Sequence, residues 1–304
     1  MDRILEWIEK PSHYKKIVMG AQYILGIIVI GVVIKWIKGV ELVPVSLWYG
    51  LAAVCSIILM RMINIMRLHT FLENVMHVEW KKMIRAQLLG ISLGLVTPGK
   101  MGESYKVLAL GSGKEDKKKL TLIFLFEKIM DTSAYVILGM TFAIIAQKYI
   151  IETIVLLGLL IIGVFIYSKL NAYFSMKIKK FFSWEILTLS FFHFIAFVTS
   201  FWFVVKGAGI DLSFLETSSI ITLASVISIL STLPGGLGAR EATGTYLLSN
   251  AASIDLGFAG NVMFLHLFIN YGTTWLITAI VYGATGILSR KERKKFSLSG
   301  NKVP

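Results

Sequence analysis

Apolar runs separated by short polar punctuation fill this chain, and the lengths of the runs sort them into two kinds. Residues 17–34, 44–62, 120–146, 150–168, 184–205 and 258–288 each come near or exceed the ~20 residues a helix needs to cross a bilayer core of ~30 Å. These are read as transmembrane helices. Residues 86–96 and 220–233 are too short to cross, and both run into a turn sequence. The first turn is Thr97, Pro98, Gly99, Lys100, Met101, Gly102, Glu103. The second is Leu233, Pro234, Gly235, Gly236, Leu237, Gly238, Ala239, Arg240, Glu241. Another short apolar run comes after each, at 104–110 and 242–248. Proline and clustered glycine end a helix and let the backbone reverse. A helix broken inside a membrane needs its freed backbone groups satisfied by protein or by a wet cavity. The pattern therefore predicts two re-entrant helical hairpins, at about residues 82–110 and 215–249. The predicted fold is an all-α polytopic membrane protein, one membrane domain over 1–304, with about six transmembrane helices and two hairpins in an inverted repeat.

Two further segments complete the pattern. Residues 1–16 mix Ile4, Leu5, Trp7 and Ile8 with charges up to Pro11, which suits a short interfacial helix. Residues 64–80 read as an amphipathic stretch continuing from the second span along the cytoplasmic surface, and 113–119 as a charged loop before the third span.

Composition agrees with this reading: 56% hydrophobic and 16% charged residues, with a mean hydropathy of +0.72. The single cysteine, Cys55, excludes an intramolecular disulfide. The run 17–34 is too long for a signal-peptide core, lacks a small-residue cleavage site and is read as an uncleaved span. A net charge of +13 raises nucleic acid as a partner, but the placement of the bases answers otherwise. With each hairpin returning to the side it entered, 23 Lys and Arg fall on one face and four on the other. That asymmetry puts both termini in the cytoplasm and accounts for the charge without nucleic acid. Four bases remain at membrane depth, Lys100, Lys106, Lys128 and Arg240, with four acids, Glu103, Glu127, Asp131 and Glu241. Ionisable groups at that depth pair with one another and face an aqueous path, so equal numbers predict a compensated polar cluster.

The turns carry the candidate chemistry. Helices restarting near Gly102 and Gly238 would aim unpaired N–H groups at the membrane centre, and Lys100 and Arg240 add positive charge there for a phosphate or carboxylate. Glu103 and Glu241 have two readings, substrate contact or an N-terminal cap, with Glu241 also able to pair with Arg240. Glu127 and Asp131 share one helical face and are candidate substrate-binding residues, expected to pair with Arg240 or Lys100 or to contact a cationic head group; proton coupling through one of them is the sharper hypothesis. His193, His266 and Asn270 are read as hydrogen-bonded packing residues. No spacing suggests a metal site, a nucleotide loop or a nucleophile, so neither metal nor cofactor is expected. Lys117 to Lys119 and the bases from Arg290 to Lys295 are read as topogenic charge.

The segments Thr97 to Glu103, Glu127 to Asp131 and Leu233 to Glu241 resemble the lysylphosphatidylglycerol synthase transmembrane region, a flippase-like family of bacterial and archaeal membrane proteins. The similarity spans nearly the whole chain and keeps the three motifs in order. The resemblance places Pro98, Gly99, Gly102, Glu103, Glu127, Asp131, Pro234, Gly235, Gly238, Arg240 and Glu241 on the family's motif positions. It implies a cell-membrane protein moving a phosphate-bearing lipid, aminoacylated or polyprenyl-linked, between leaflets. The alternative it implies is a membrane component of phosphatidylglycerol lysyltransferase, which confers cationic peptide resistance, or of lipid-linked glycosyl transfer, each with a partner enzyme. The full-length synthases carry a soluble aminoacyltransferase domain; this chain reaches Pro304 without one, so aminoacyl transfer by this chain alone is not expected.

Overall fold

The computed structural model describes residues 45–73, 75–97, 101–146, 183–230 and 238–298. The predicted interfacial segment 1–16, the spans 17–34 and 150–168, and Pro98, Gly99, Lys100, Pro234 and Gly235 lie outside the described residues. The described residues form eight α-helices and one 3-10 turn, with no strand among them: α1 (Leu47–Glu73), α2 (Trp80–Val96), the 3-10 turn (Met101–Ser104), α3 (Tyr105–Leu110), α4 (Lys114–Ala146), α5 (Trp184–Gly207), α6 (Phe214–Leu230), α7 (Ala239–Ala252) and α8 (Leu256–Leu298). Helices α1, α5 and the Leu256–Gly283 part of α8 are long and apolar enough to cross a membrane. At 1.5 Å per residue, the 17 residues of α2 and of α6 each extend only ~25 Å.

Three sequence boundaries move. Residues 64–73 do not run along a surface; they continue α1, and Asn64, Arg67, Leu68, Phe71 and Leu72 are buried. The charged stretch before the third span is not a loop beyond Gly113, because helix α4 begins at Lys114 with Glu115 and Asp116 in its first turn, where acids favour the helix dipole. The last helix passes the end expected at 288 and runs to Leu298.

Two apolar clusters hold the helices together. The larger joins α1 to α5 through Ala53, Ile57, Met60, Phe194, Phe197 and Phe201, and extends to Ile221, Leu248 and Val262. The smaller packs Leu68 and Phe71 of α1 on Met83, Val107, Ile123 and Phe126. Outward, Trp48, Met62, Trp184, Phe192, Phe268 and Leu276 are exposed, a surface that suits lipid contact and not water. Cys55, placed in an apolar span by the sequence, is exposed on α1.

Each broken segment contributes two helical arms that pack on each other. In the first, residues 87, 90 and 93–94 meet 106, 103 and 102, so the two arms run antiparallel. A Cβ on Gly102 would collide with the Leu93 carbonyl and lie 2.6 Å from the Gly94 nitrogen. Glycine is required there by closeness, and not by a positive φ. Thr97 ties the turn: its hydroxyl donates to the Leu93 carbonyl at 2.8 Å and accepts from the Gly102 N–H at 2.6 Å. In the second unit Gly238 does adopt positive φ, +87°, and the Glu241 carboxylate accepts from its N–H at 2.8 Å. Helix α7 then ends at Ser253 in the left-handed region, φ 52°.

Gly102→Ala is expected to cost about 1–3 kcal/mol of stability, because backbone must move to admit the methyl. Gly50→Ala, on α1 with nothing within 4 Å of the added carbon, is expected to be neutral or stabilising by up to about 1 kcal/mol. Thermal unfolding of both variants in detergent micelles checks the contrast.

Candidate functional site

Seven of the eight helices and the 3-10 turn contribute to a cavity of about 300 Å³. Its charged lining comes from Arg61 on α1, Glu103 in the turn, Glu127, Lys128 and Asp131 on α4, and Arg240 on α7. Sequence-predicted Glu103, Glu127, Asp131 and Arg240 are thus brought to one space. Glu241 reaches it only through Arg240, whose Nε and Nη2 donate to one Glu241 oxygen at 2.9 and 2.7 Å. The other Glu241 oxygen caps Gly238, so this carboxylate is occupied by local work.

Glu127 and Asp131 are held by partners other than those the sequence suggests. Arg67, fully buried on α1, donates to Asp131 at 2.5 Å and to Glu127 at 3.2 Å. The Lys106 ammonium pairs with the second Glu127 oxygen. Gln87 knits them further, its amide donating to Glu127 at 3.4 Å and its carbonyl accepting from Lys106 at 3.3 Å. Arg240 instead pairs with Glu241, and Lys100 lies outside the described residues. Glu103 pairs with Lys128. Both lysines sit near the Phe124 ring, Lys106 at 5.2 Å and Lys128 at 5.8 Å from its centroid, which adds a cation–π contribution.

Three polar residues on α1 escape the sequence reading, which counts Arg61 and Arg67 as cytoplasmic surface bases and Asn64 as part of an amphipathic surface stretch. All three are buried. Arg61 donates from Nε to Thr274 at 3.0 Å and from Nη2 to Asn270 at 2.7 Å, both on α8. Asn64 accepts from Arg67 at 3.1 Å. Their spacing of three is the available signal: 61, 64 and 67 lie close on one side of a helix whose other residues are mostly apolar. The charge balance changes with them. Five described cations, Arg61, Arg67, Lys106, Lys128 and Arg240, now surround four acids. The histidines take lesser places: His193 Nδ1 lies 4.0 Å from Asp131, and His266 Nε2 lies 3.0 Å from the Ser200 hydroxyl.

A model of the protein family described as the lysylphosphatidylglycerol synthase TM region matches residues 23–280, a stretch that includes the whole cavity lining. The chain belongs to this family. Membership makes it a multi-pass membrane protein, in keeping with the apolar helices α1, α5 and α8. A comparison with curated proteins gives no match. In this lysylphosphatidylglycerol synthase TM region charged residues of α1, of the 3-10 turn, of α4 and of α7 line one cavity.

Removing Arg67 alone strands Asp131 at the cavity wall and leaves Glu127 with Lys106 and Gln87. Arg67→Met is expected to destabilise by about 3–5 kcal/mol. Adding Asp131→Asn leaves Glu127 with Lys106 and is expected to recover a large part of that loss. Chemical unfolding of single and double variants in micelles measures the recovery.

Proposed function

We propose that the chain is a lipid translocase of the cell membrane, moving a phosphate-bearing amphiphile between leaflets. The observation that supports this best is a charged cavity enclosed by helices whose outer faces are apolar. In this reading the two broken segments are re-entrant hairpins, one from each side, related as an inverted repeat with their tips near mid-membrane. The head group crosses through the cavity while the tails stay in lipid. Arg240 and Lys100 contact the phosphate. Lys128 and Glu103 form a pair that opens to admit it, since the Lys128 side chain keeps 32% of its surface exposed and so costs least to displace. Glu127 and Asp131 hold the wall of the path through Arg67. Moving Arg61 and Arg67 from the cytoplasmic count to the interior leaves 21 bases against four, so the expected orientation, both termini inside, keeps its support.

The family description also favours a second reading, in which the chain is the membrane component that serves a partner lysyltransferase. A glycosyltransferase working on lipid-linked sugars is the other enzyme such a component would suit.

A leaflet-resolved assay in proteoliposomes tests the translocase reading, with fluorescent phosphatidylglycerol, its lysyl ester and a polyprenyl phosphate as cargo. Movement of one lipid is expected, falling about tenfold or more in Arg240→Ala and in Asp131→Asn. No movement of any of them by folded protein would sink the reading and turn attention to a partner enzyme.

A further inference from the structure

Resting on the translocase reading, we propose that the cavity selects a head group of net negative charge, a phosphodiester monoanion with no accompanying ammonium, and that Arg61 is the residue that selects it. Each acid around the cavity is already matched by a described cation. Glu103 has Lys128, Glu127 has Arg67 and Lys106, Asp131 has Arg67, and Glu241 has Arg240. Arg61 differs. Among the described residues no carboxylate lies within 4.0 Å of it, and its hydrogen bonds go to the neutral oxygens of Asn270 and Thr274.

Those two bonds orient the guanidinium without neutralising it. Thr274 is itself fixed, its hydroxyl donating to the Asn270 carbonyl at 2.7 Å. They use two of the five N–H donors that a guanidinium carries, and the side chain lines the cavity. A buried cation whose hydrogen bonds go only to neutral groups, with no carboxylate within ion-pair distance, is costly in low dielectric, and an incoming anion offsets that cost while accepting the remaining donors. One excess positive charge is balanced by one phosphodiester. Arg240 lines the same cavity from α7 and offers the phosphate a second guanidinium.

A cationic head group meets the reverse situation. The ammonium of a lysyl ester could gain only Glu103, and only by taking it from Lys128, whereas Glu127, Asp131 and Glu241 stay engaged by Arg67, Lys106 and Arg240. Like charge beside Arg61 adds to that cost.

The test uses the purified full chain in detergent and soluble probes: dihexanoyl phosphatidylglycerol, its lysyl ester, dihexanoyl phosphatidylcholine and inorganic phosphate. Titration calorimetry is expected to show phosphatidylglycerol bound at least about tenfold tighter than the lysyl ester or phosphatidylcholine. Arg61→Gln should erase that preference, and Arg61→Lys should keep part of it. The head-group series on the unmodified protein needs no variant to fold. Equal or tighter binding of the lysyl ester would overturn the proposal, as would an Arg61→Gln protein that binds phosphatidylglycerol at full strength. Inorganic phosphate displacing phosphatidylglycerol at equal concentration would overturn its assignment to a lipid. Transport of the lysyl ester without this binding preference would keep the translocase reading and overturn the Arg61 proposal; Arg61-dependent binding without transport would do the reverse.

Discussion

Charge in a dry interior is costly unless a partner of opposite sign stands within reach, and that cost decides which helices of this protein must be neighbours. Glu127 lies at 2% exposure with Arg67 of α1 on one oxygen and Lys106 of α3 on the other. Gln87 of α2 bridges the same carboxylate to the lysine. Four helices are thereby fixed to one another at one residue. Apolar packing alone would not do this between helices surrounded by lipid, because a leucine is as comfortable against an acyl chain as against another leucine. The two apolar clusters supply bulk cohesion; the ion cluster supplies register.

The two turn motifs look alike in sequence and solve their geometry differently. At the first, Gly102 sits against the backbone of Leu93 and Gly94, and the Thr97 hydroxyl closes the reversal. At the second, Gly238 takes a positive φ and Glu241 caps it. The acids just after each glycine diverge accordingly. Glu241 is consumed by the cap and by Arg240, whereas Glu103 reaches across to Lys128 on α4 and lines the cavity. Similar motifs in the two halves therefore give unequal faces to the same space, with an acid from one and a base from the other.

The helical class and the two interrupted segments were legible because run length and Pro-Gly punctuation report directly on backbone geometry. The acids of the site were legible too, since Glu127 and Asp131 stand conspicuously inside an apolar run. Their partners were not. Arg67 comes after the apolar run assigned to the second span, and a base at the end of such a run is ordinarily a surface anchor. Nothing local distinguishes that case from a helix that continues buried for another two turns. The distinction is tertiary: Met83, Val107 and Phe126 come from distant segments to cover Leu68 and Phe71, and so carry Arg67 inward.

The placement of Arg61 changes the chemistry of the interior as well as the topology count. As a surface charge it would bear only on orientation, and the described interior side chains would balance, four bases against four acids. Where it lies, held by Asn270 and Thr274, it gives the described interior one more base than acids, with no described carboxylate within ion-pair distance of it. A protein that needed only stability would gain by replacing such a group with a neutral residue, because an unanswered buried charge is destabilising by itself. On the proposed translocase reading Arg61 is half of a pair, completed by the head group of the lipid. The energetic cost of that lone charge is then the source of the proposed preference, since the ligand that relieves it most is the one that carries the opposite charge.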